Sequence, residues 1–289
     1  MTARPPSGPP RAPGAARFPA TLKPAGSAPA VAPATTQLVR PQRPLQQAAD
    51  DAARRRAPSG LGLDSAAVRE RMVQRLRAGG VRCEPVLQAF ARVERHRFVD
   101  SALAGQAYED TSLPIGLAQT ISKPSVVARM LALLFEGAGA AQRGHLGRVL
   151  EIGTGCGYQA ALLAQLARTV VSIERLRPLH DKARANLAGL DATPGALPAD
   201  LRLLHGDGRL GHPPRAPYDA IVAAAGGEEL PAAWLDQLAV GGRLVAPMLD
   251  AARGGQGLLV VDRAADGPDG LVRRWLDAVH FVPLKSGTE

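Results

Sequence analysis

Residues Glu151-Ile152-Gly153-Thr154-Gly155-Cys156-Gly157 place three glycines at alternate positions directly after a short apolar run. Glycines there let a chain turn tightly after a strand and come close to a ligand. The spacing is not that of a dinucleotide fingerprint, because Tyr158 stands where a third-position glycine would be. No Lys-Ser/Thr pair follows, so a P-loop is excluded. Two acids extend the pattern. Glu174 ends the next apolar run, where a carboxylate can accept two hydrogen bonds from a ribose diol. Asp207, in His205-Gly206-Asp207-Gly208, follows the third run and can accept an adenine amino group. Each acid alone is equally well read as a cap of the following turn or helix. Together the three features describe an adenosine site without a phosphate site, which points to S-adenosylmethionine as cofactor.

Positioning these residues requires strands that end on one edge. From Arg148 onward short apolar runs alternate with helical patterns: strands 149–152, 169–173, 201–205, 218–224 and 242–247, with helices 160–166, 176–187 and 231–238 between them. Such alternation predicts an α/β fold with a mostly parallel, doubly wound sheet and helices on both faces. Two further runs, 257–262 and 272–282, lack a helix between them and predict an antiparallel pair at the sheet's end. Upstream, the pattern predicts a helix from Asp64 to about Ala78 stopped by Gly79-Gly80, a second over 84–93, and a third starting near Pro124. Residues 96–123 read as irregular.

Composition sets the remaining bounds. The first 60 residues hold 12 of the 25 prolines and nine basic residues against two acidic ones, so they carry seven of the nine net positive charges. Few large apolar side chains accompany that proline, so residues 1–60 read as a disordered basic extension. Residues 61–289 read as one catalytic domain, with 61–147 a helical part carrying the substrate segment and 148–289 the cofactor-binding core. The extension could touch nucleic acid weakly through charge alone. No apolar run long enough for a membrane helix and no secretory apolar core occur. Two cysteines fit a reducing, cytoplasmic setting and exclude a disulfide scaffold. His96, His180, His205, His212 and His280 show no metal-ligand spacing and read as surface or loop residues, so no metal is expected. Cys156 reads as a small residue fitting the turn, and Cys83 as core or helix boundary.

Val149 to Gly157, Ser172-Ile173-Glu174-Arg175, Gly206-Asp207-Gly208 and Gly241-Gly242-Arg243-Leu244-Val245 resemble the blocks of Rossmann-like class I methyltransferases. Ala107-Tyr108-Glu109-Asp110, Leu113-Pro114-Ile115-Gly116 and Gln119-Thr120-Ile121-Ser122-Lys123-Pro124 resemble the protein-L-isoaspartate O-methyltransferase family, as does His280-Phe281-Val282-Pro283-Leu284, similar to its C-terminal strand. The resemblance spans roughly Leu63 to Gly287. It implies methyl transfer from S-adenosylmethionine to the α-carboxylate of L-isoaspartyl residues in damaged proteins. It marks Ser122 as catalytic, Ile121, Ser122, Val282 and Pro283 as substrate-binding, and Glu151, Gly153, Thr154, Gly155, Gly157, Glu174, Asp207 and Gly208 as cofactor-binding. Ser122 also reads as a cap for the helix at Pro124. The chain departs from its bacterial relatives at Gly226-Gly227, where two prolines are usual, and at Lys123 and Ser125. A methyltransferase acting on RNA or a small molecule is the alternative. Amino-methylating enzymes carry Asn/Asp-Pro-Pro-Tyr/Phe after the fourth strand, where this chain has Ala223-Ala224-Ala225.

Overall fold

The computed structural model describes residues 66–191 and 200–289 apart from 266, 268 and 269. The expected extension 1–60 and the Asp64 helix start lie outside the described residues. Helix α1 (Ala66–Ala78) buries Met72 and Leu76 and stops at Gly80, whose φ of 97° lets Val81 N–H reach back to Leu76 O. Helix α2 (Glu84–Arg92) begins just after the half-buried Cys83 and buries Val86, Leu87, Ala89 and Phe90.

Residues 95–121 are more ordered than their sequence suggested. Two 3₁₀ turns, Arg95–Phe98 and Ser101–Gln106, lead into an antiparallel hairpin of β1 (Leu113–Gly116) and β2 (Gln119–Ile121). Strands of four and three residues are too short to show an alternating pattern. The hairpin tip holds Leu117 and Ala118 at φ of 53° and 55°, a conformation that costs non-glycine residues roughly 1–2 kcal/mol each. Helix α3 (Pro124–Phe135) follows, then the six-residue α4 (Ala138–Arg143), which had no visible pattern.

The sheet comprises β3 (Arg148–Ile152), β4 (Thr169–Glu174), β5 (Asp200–His205), β6 (Tyr218–Ala223), β7 (Leu238–Asp250), β8 (Gly255–Arg263) and β9 (Leu271–Ala278), in the order β5-β4-β3-β6-β7-β8-β9. The first five in sequence run parallel, and β8 and β9 are antiparallel additions. Helices α5 (Tyr158–Leu166), α6 (Arg177–Asp191) and α7 (Ala232–Asp236) make the crossovers. Each strand sends alternate residues to opposite faces. Val149, Val170, Ala220, Val222 and Val245 pack with α1 to α6, while Leu150, Ile152, Val171, Ile173, Ile221 and Leu244 pack with Trp234 of α7. Helical cover is therefore uneven, long helices on one face and a five-residue helix on the other. The run 272–282 is strand only to Ala278; of the family-like 280–284 segment, Pro283 alone forms a bridge, to Gly226.

The chain order moves outward from β3 to β4 and β5, then returns to β6 on the other side of β3. This reversal opens a crevice at the carboxyl end of β3, where open α/β sheets bind ligands. The glycine turn sits there.

Candidate active site

A cleft of about 240 Å³ lies over the carboxyl ends of β3 and β4. Gly153, Thr154, Gly155, Glu174 and Gly208 line its floor, and Ile121, Ser122, Val282 and Pro283 its upper walls. Nine of the twelve residues singled out by sequence thus meet in one cavity. Gly153 and Gly155 have φ of 89° and 57°, and a Cβ on Gly208 would stand 2.5 Å from Ile152 Cγ2. The turn holds its shape only without side chains.

Glu174 is buried at the end of β4. Its Oε2 accepts from Gly155 N–H at 2.8 Å and its Oε1 from Leu176 N–H at 3.0 Å. The carboxylate therefore ties the glycine turn to the next helix, as the capping reading held. A carboxylate offers about four acceptor sites, so both oxygens retain capacity for a diol.

Three of the expected site residues do not line the cleft. Glu151 does not line the cleft: it is fully buried beneath the turn, where it accepts from the Ser172 hydroxyl at 2.5 Å. Thr154 Oγ1 meets the same hydroxyl at 2.6 Å, so Glu151 supports the turn through a buried relay. Burial pushes its carboxyl up to about 8; the Ser172 hydroxyl and the Gln159 amide offset part of this, and the Glu174 charge adds to it. Glu151 Oε1 makes no well-formed hydrogen bond. Gly157 also lies outside the cleft; its φ of 92° starts α5, and a Cβ there would press on Leu187 at 3.2 Å. Asp207 turns both oxygens to backbone amides, Oδ1 to Arg209 N–H at 2.9 Å and Oδ2 to Gly287 N–H at 2.7 Å. In this structure it caps the turn after β5 and tethers residue 287.

Ser122 lies between β2 and α3, half-buried at the cleft wall. The first turn of α3 takes its cap from elsewhere: Asp110 accepts from Ser125 N–H and from the Ser125 hydroxyl, each at 2.8 Å. The capping role proposed for Ser122 thus falls to a residue on the preceding loop. The Ser122 carbonyl accepts from Arg95 Nη2 at 2.8 Å. Lys182 Nζ donates to Ile115 O at 3.0 Å and pins the hairpin over α6.

Sequence reasoning missed Arg95 and Tyr158. Tyr158 lines the cleft, packed edge-on against Phe90 and Phe98 with ring centroids 6.1 and 5.4 Å away. Burial raises its phenol above the ordinary tyrosine range, and it likewise raises the Cys156 thiol, which stays protonated at neutral pH. His180 is buried, contrary to its reading as a surface or loop residue. Among the described residues no His, Cys, Asp and Glu cluster suits a metal ion, and no helix is long and apolar enough to cross a membrane.

The donor set fits S-adenosylmethionine: a glycine cradle, a carboxylate at a strand end for the ribose, and apolar walls from Ile152, Ile173 and Leu179. The family model described as protein-L-isoaspartate(D-aspartate) O-methyltransferase (PCMT) matches residues 67–289. A protein-L-isoaspartate O-methyltransferase of Methylibium petroleiphilum is 63% identical over 280 residues, covering 95% of this chain and 97% of that one. A solved protein-L-isoaspartate O-methyltransferase structure superposes with a TM-score of 0.63 at 27% identity, covering 75% of this chain and 66% of that one. A putative Plasmodium falciparum protein of the same description, in complex with S-adenosyl-L-homocysteine, shares the fold at 22% identity, with a TM-score of 0.60 over 74% of this chain and 96% of that one. The chain belongs to the protein-L-isoaspartate(D-aspartate) O-methyltransferase family.

Proposed function

We propose that this chain repairs damaged proteins by methylating the free α-carboxylate of L-isoaspartyl residues, with Ser122 as the residue that orients the carboxylate. The observation that carries this reading is the division of labour at α3. Asp110 supplies the helix cap, and the Ser122 hydroxyl remains at the cleft wall beside Ile121. A carboxylate with a pKa near 4 is already ionised at neutral pH, so no general base is needed. S-adenosylmethionine, when bound, supplies a methyl group already activated by its sulfonium.

The chain's residues then have positional tasks. Ser122 donates a hydrogen bond to one carboxylate oxygen and leaves the other free to attack. Ile121, Val282 and Pro283 close the walls around the acceptor and reduce its contact with water. Glu174 takes the ribose hydroxyls, and Gly153, Thr154, Gly155 and Gly208 provide the close backbone approach. Alignment of this kind can contribute on the order of 7–11 kcal/mol to the barrier reduction. We place residues 61–289 as the catalytic domain and residues 1–60 as a basic extension outside it. Two free cysteines support a cytoplasmic setting.

The test is transfer of labelled methyl to an L-isoaspartyl peptide and to its aspartyl twin. Transfer to the first alone is expected. Ser122→Ala should lower turnover by about ten- to a hundredfold, the worth of one hydrogen bond to a charged group, with unchanged cofactor affinity. Ser122→Asp should be less active still, because it repels the carboxylate. Full activity in Ser122→Asp would remove Ser122 from this role.

A further inference from the structure

Arg95 is the one arginine among the described residues with no exposed surface; no ion pair within 4 Å neutralises it there, and the Asp110 charge acts on it only from further away. Its Nε donates to Ala107 O at 2.7 Å and its Nη2 to Ser122 O at 2.8 Å. Its guanidinium carbon stands 4.9 Å from the centroid of the Tyr158 ring. Nη1 is buried without a well-formed hydrogen bond, and so is the Tyr158 hydroxyl beside it. Burial lowers the pKa of Arg95, yet a guanidinium does not lose its proton in proteins.

A buried cation without an ion-pair partner is costly unless an anion approaches it. Carbonyl dipoles and an aromatic face compensate only part of that cost. Both Ser122 and Tyr158, which it contacts, line the cleft. We propose that Arg95 is a positioning residue for the acceptor: it holds the Ser122 segment by its carbonyl and supplies the positive charge that draws the substrate carboxylate to Ser122. This rests on the reading of Ser122 as the carboxylate's hydrogen-bond donor. It adds a sign. Methylation neutralises the carboxylate, so the charge favours bound substrate over the transition state and over the ester product. Losing the charge should therefore raise KM without lowering kcat.

The experiment is steady-state kinetics of the full chain carrying Arg95→Gln or Arg95→Lys. The peptide has its L-isoaspartyl residue as the only charge. Arg95→Gln keeps a donor and loses the charge. Its KM for peptide should rise about tenfold or more, with kcat not lowered and calorimetric affinity for S-adenosylhomocysteine unchanged. Arg95→Lys should recover most of the KM. An unchanged KM in Arg95→Gln, or a parallel loss of S-adenosylhomocysteine affinity, would overturn the proposal and leave Arg95 a scaffold residue. Should Arg95→Gln fail to fold, a salt series on the wild type decides. A buried charge is poorly screened, so KM should change less than about twofold between roughly 50 and 500 mM NaCl. A rise of about tenfold would assign the attraction to exposed cations and sink the idea. Ser122→Ala separates the two readings: normal kinetics in that variant removes Ser122, while a raised KM in Arg95→Gln would still show a buried charge at work.

Discussion

Glu151 should make the protein less stable as pH rises, and Glu151→Gln should abolish that trend. In the folded chain the carboxyl is fully buried, and its pKa is pushed up to about 8 from an ordinary value of 4.5. Between those two values the folded protein holds a proton that the unfolded chain has released. Stability must then fall with rising pH, at up to about 1.4 kcal/mol per unit. The shift is opposite to that of a salt-bridged carboxylate, which lends stability above its unfolded pKa. The full span gives an upper bound on the order of 4–5 kcal/mol, and the loss levels off above the folded pKa. Glutamine copies the neutral acid: its carbonyl can accept from Ser172, and its amide takes the place of the protonated oxygen. Near pH 5 the variant and wild type should have similar unfolding free energies, and the variant's advantage should grow to pH 8 and then stay constant. Urea unfolding of both proteins at five pH values from 5 to 9 would measure this. A difference that does not vary with pH, or one that favours wild type as pH rises, would show that Glu151 is ionised and well paired, and the buried-acid argument would fail.

Glu174→Gln replaces an acceptor oxygen with a donor where the ribose diol would bind, so calorimetry should show S-adenosylhomocysteine binding about ten- to a hundredfold weaker. Unchanged affinity would exclude Glu174 from the cofactor site. Ala118→Gly relieves a φ of 55° at the hairpin tip and should raise the unfolding free energy by about 1 kcal/mol; a loss of stability would mean that the entropy of glycine outweighs the strain. Gly226→Pro removes the N–H that donates to Val282 O at 2.7 Å. Amide exchange at Leu284 should accelerate, and exchange as slow as in wild type would show that the segment is held without that bond.

The core of the fold was legible because strands buried on both faces read as largely apolar runs, as in Val149-Leu150-Glu151-Ile152 and Thr169-Val170-Val171-Ser172-Ile173. The same legibility hid Glu151: an acid next to a glycine turn looks like a ligand-binding group, and its buried partner is the Ser172 hydroxyl of the neighbouring strand, which in turn meets Thr154 of the turn. The hairpin was invisible because its pairing is short and its turn uses Leu117-Ala118 in place of the usual Asn or Gly. Arg95 stands in Arg92-Val93-Glu94-Arg95-His96-Arg97, a run that reads as a solvated face. Only the packing of Phe90, Phe98 and Tyr158 shows that one of its three arginines points inward. The Asp110 cap spans fifteen positions to Ser125, beyond the reach of a local capping pattern.

Residues 279–289 show why a departure in sequence need not displace the chemistry. They cross the carboxyl ends of the strands in turn. Phe281 exchanges backbone hydrogen bonds with the Gln256 side chain on β8, and Gly226 donates to Val282 O and accepts from Leu284 N–H. Gly287 N–H reaches Asp207, and Glu289 pairs with Arg175 through its backbone and through a 2.6 Å ion pair. Val282 and Pro283 therefore line the cleft because of tethers on either side of them. A proline at position 226 would lack the donor that forms the central tether, and a Cβ there would collide with the Gln256 amide. Gly226 thus gives this chain a backbone bond that a proline cannot make. A proline at 226 would be felt at the cleft wall formed by Val282 and Pro283, while the glycine turn and Glu174 keep their own geometry elsewhere in the cleft.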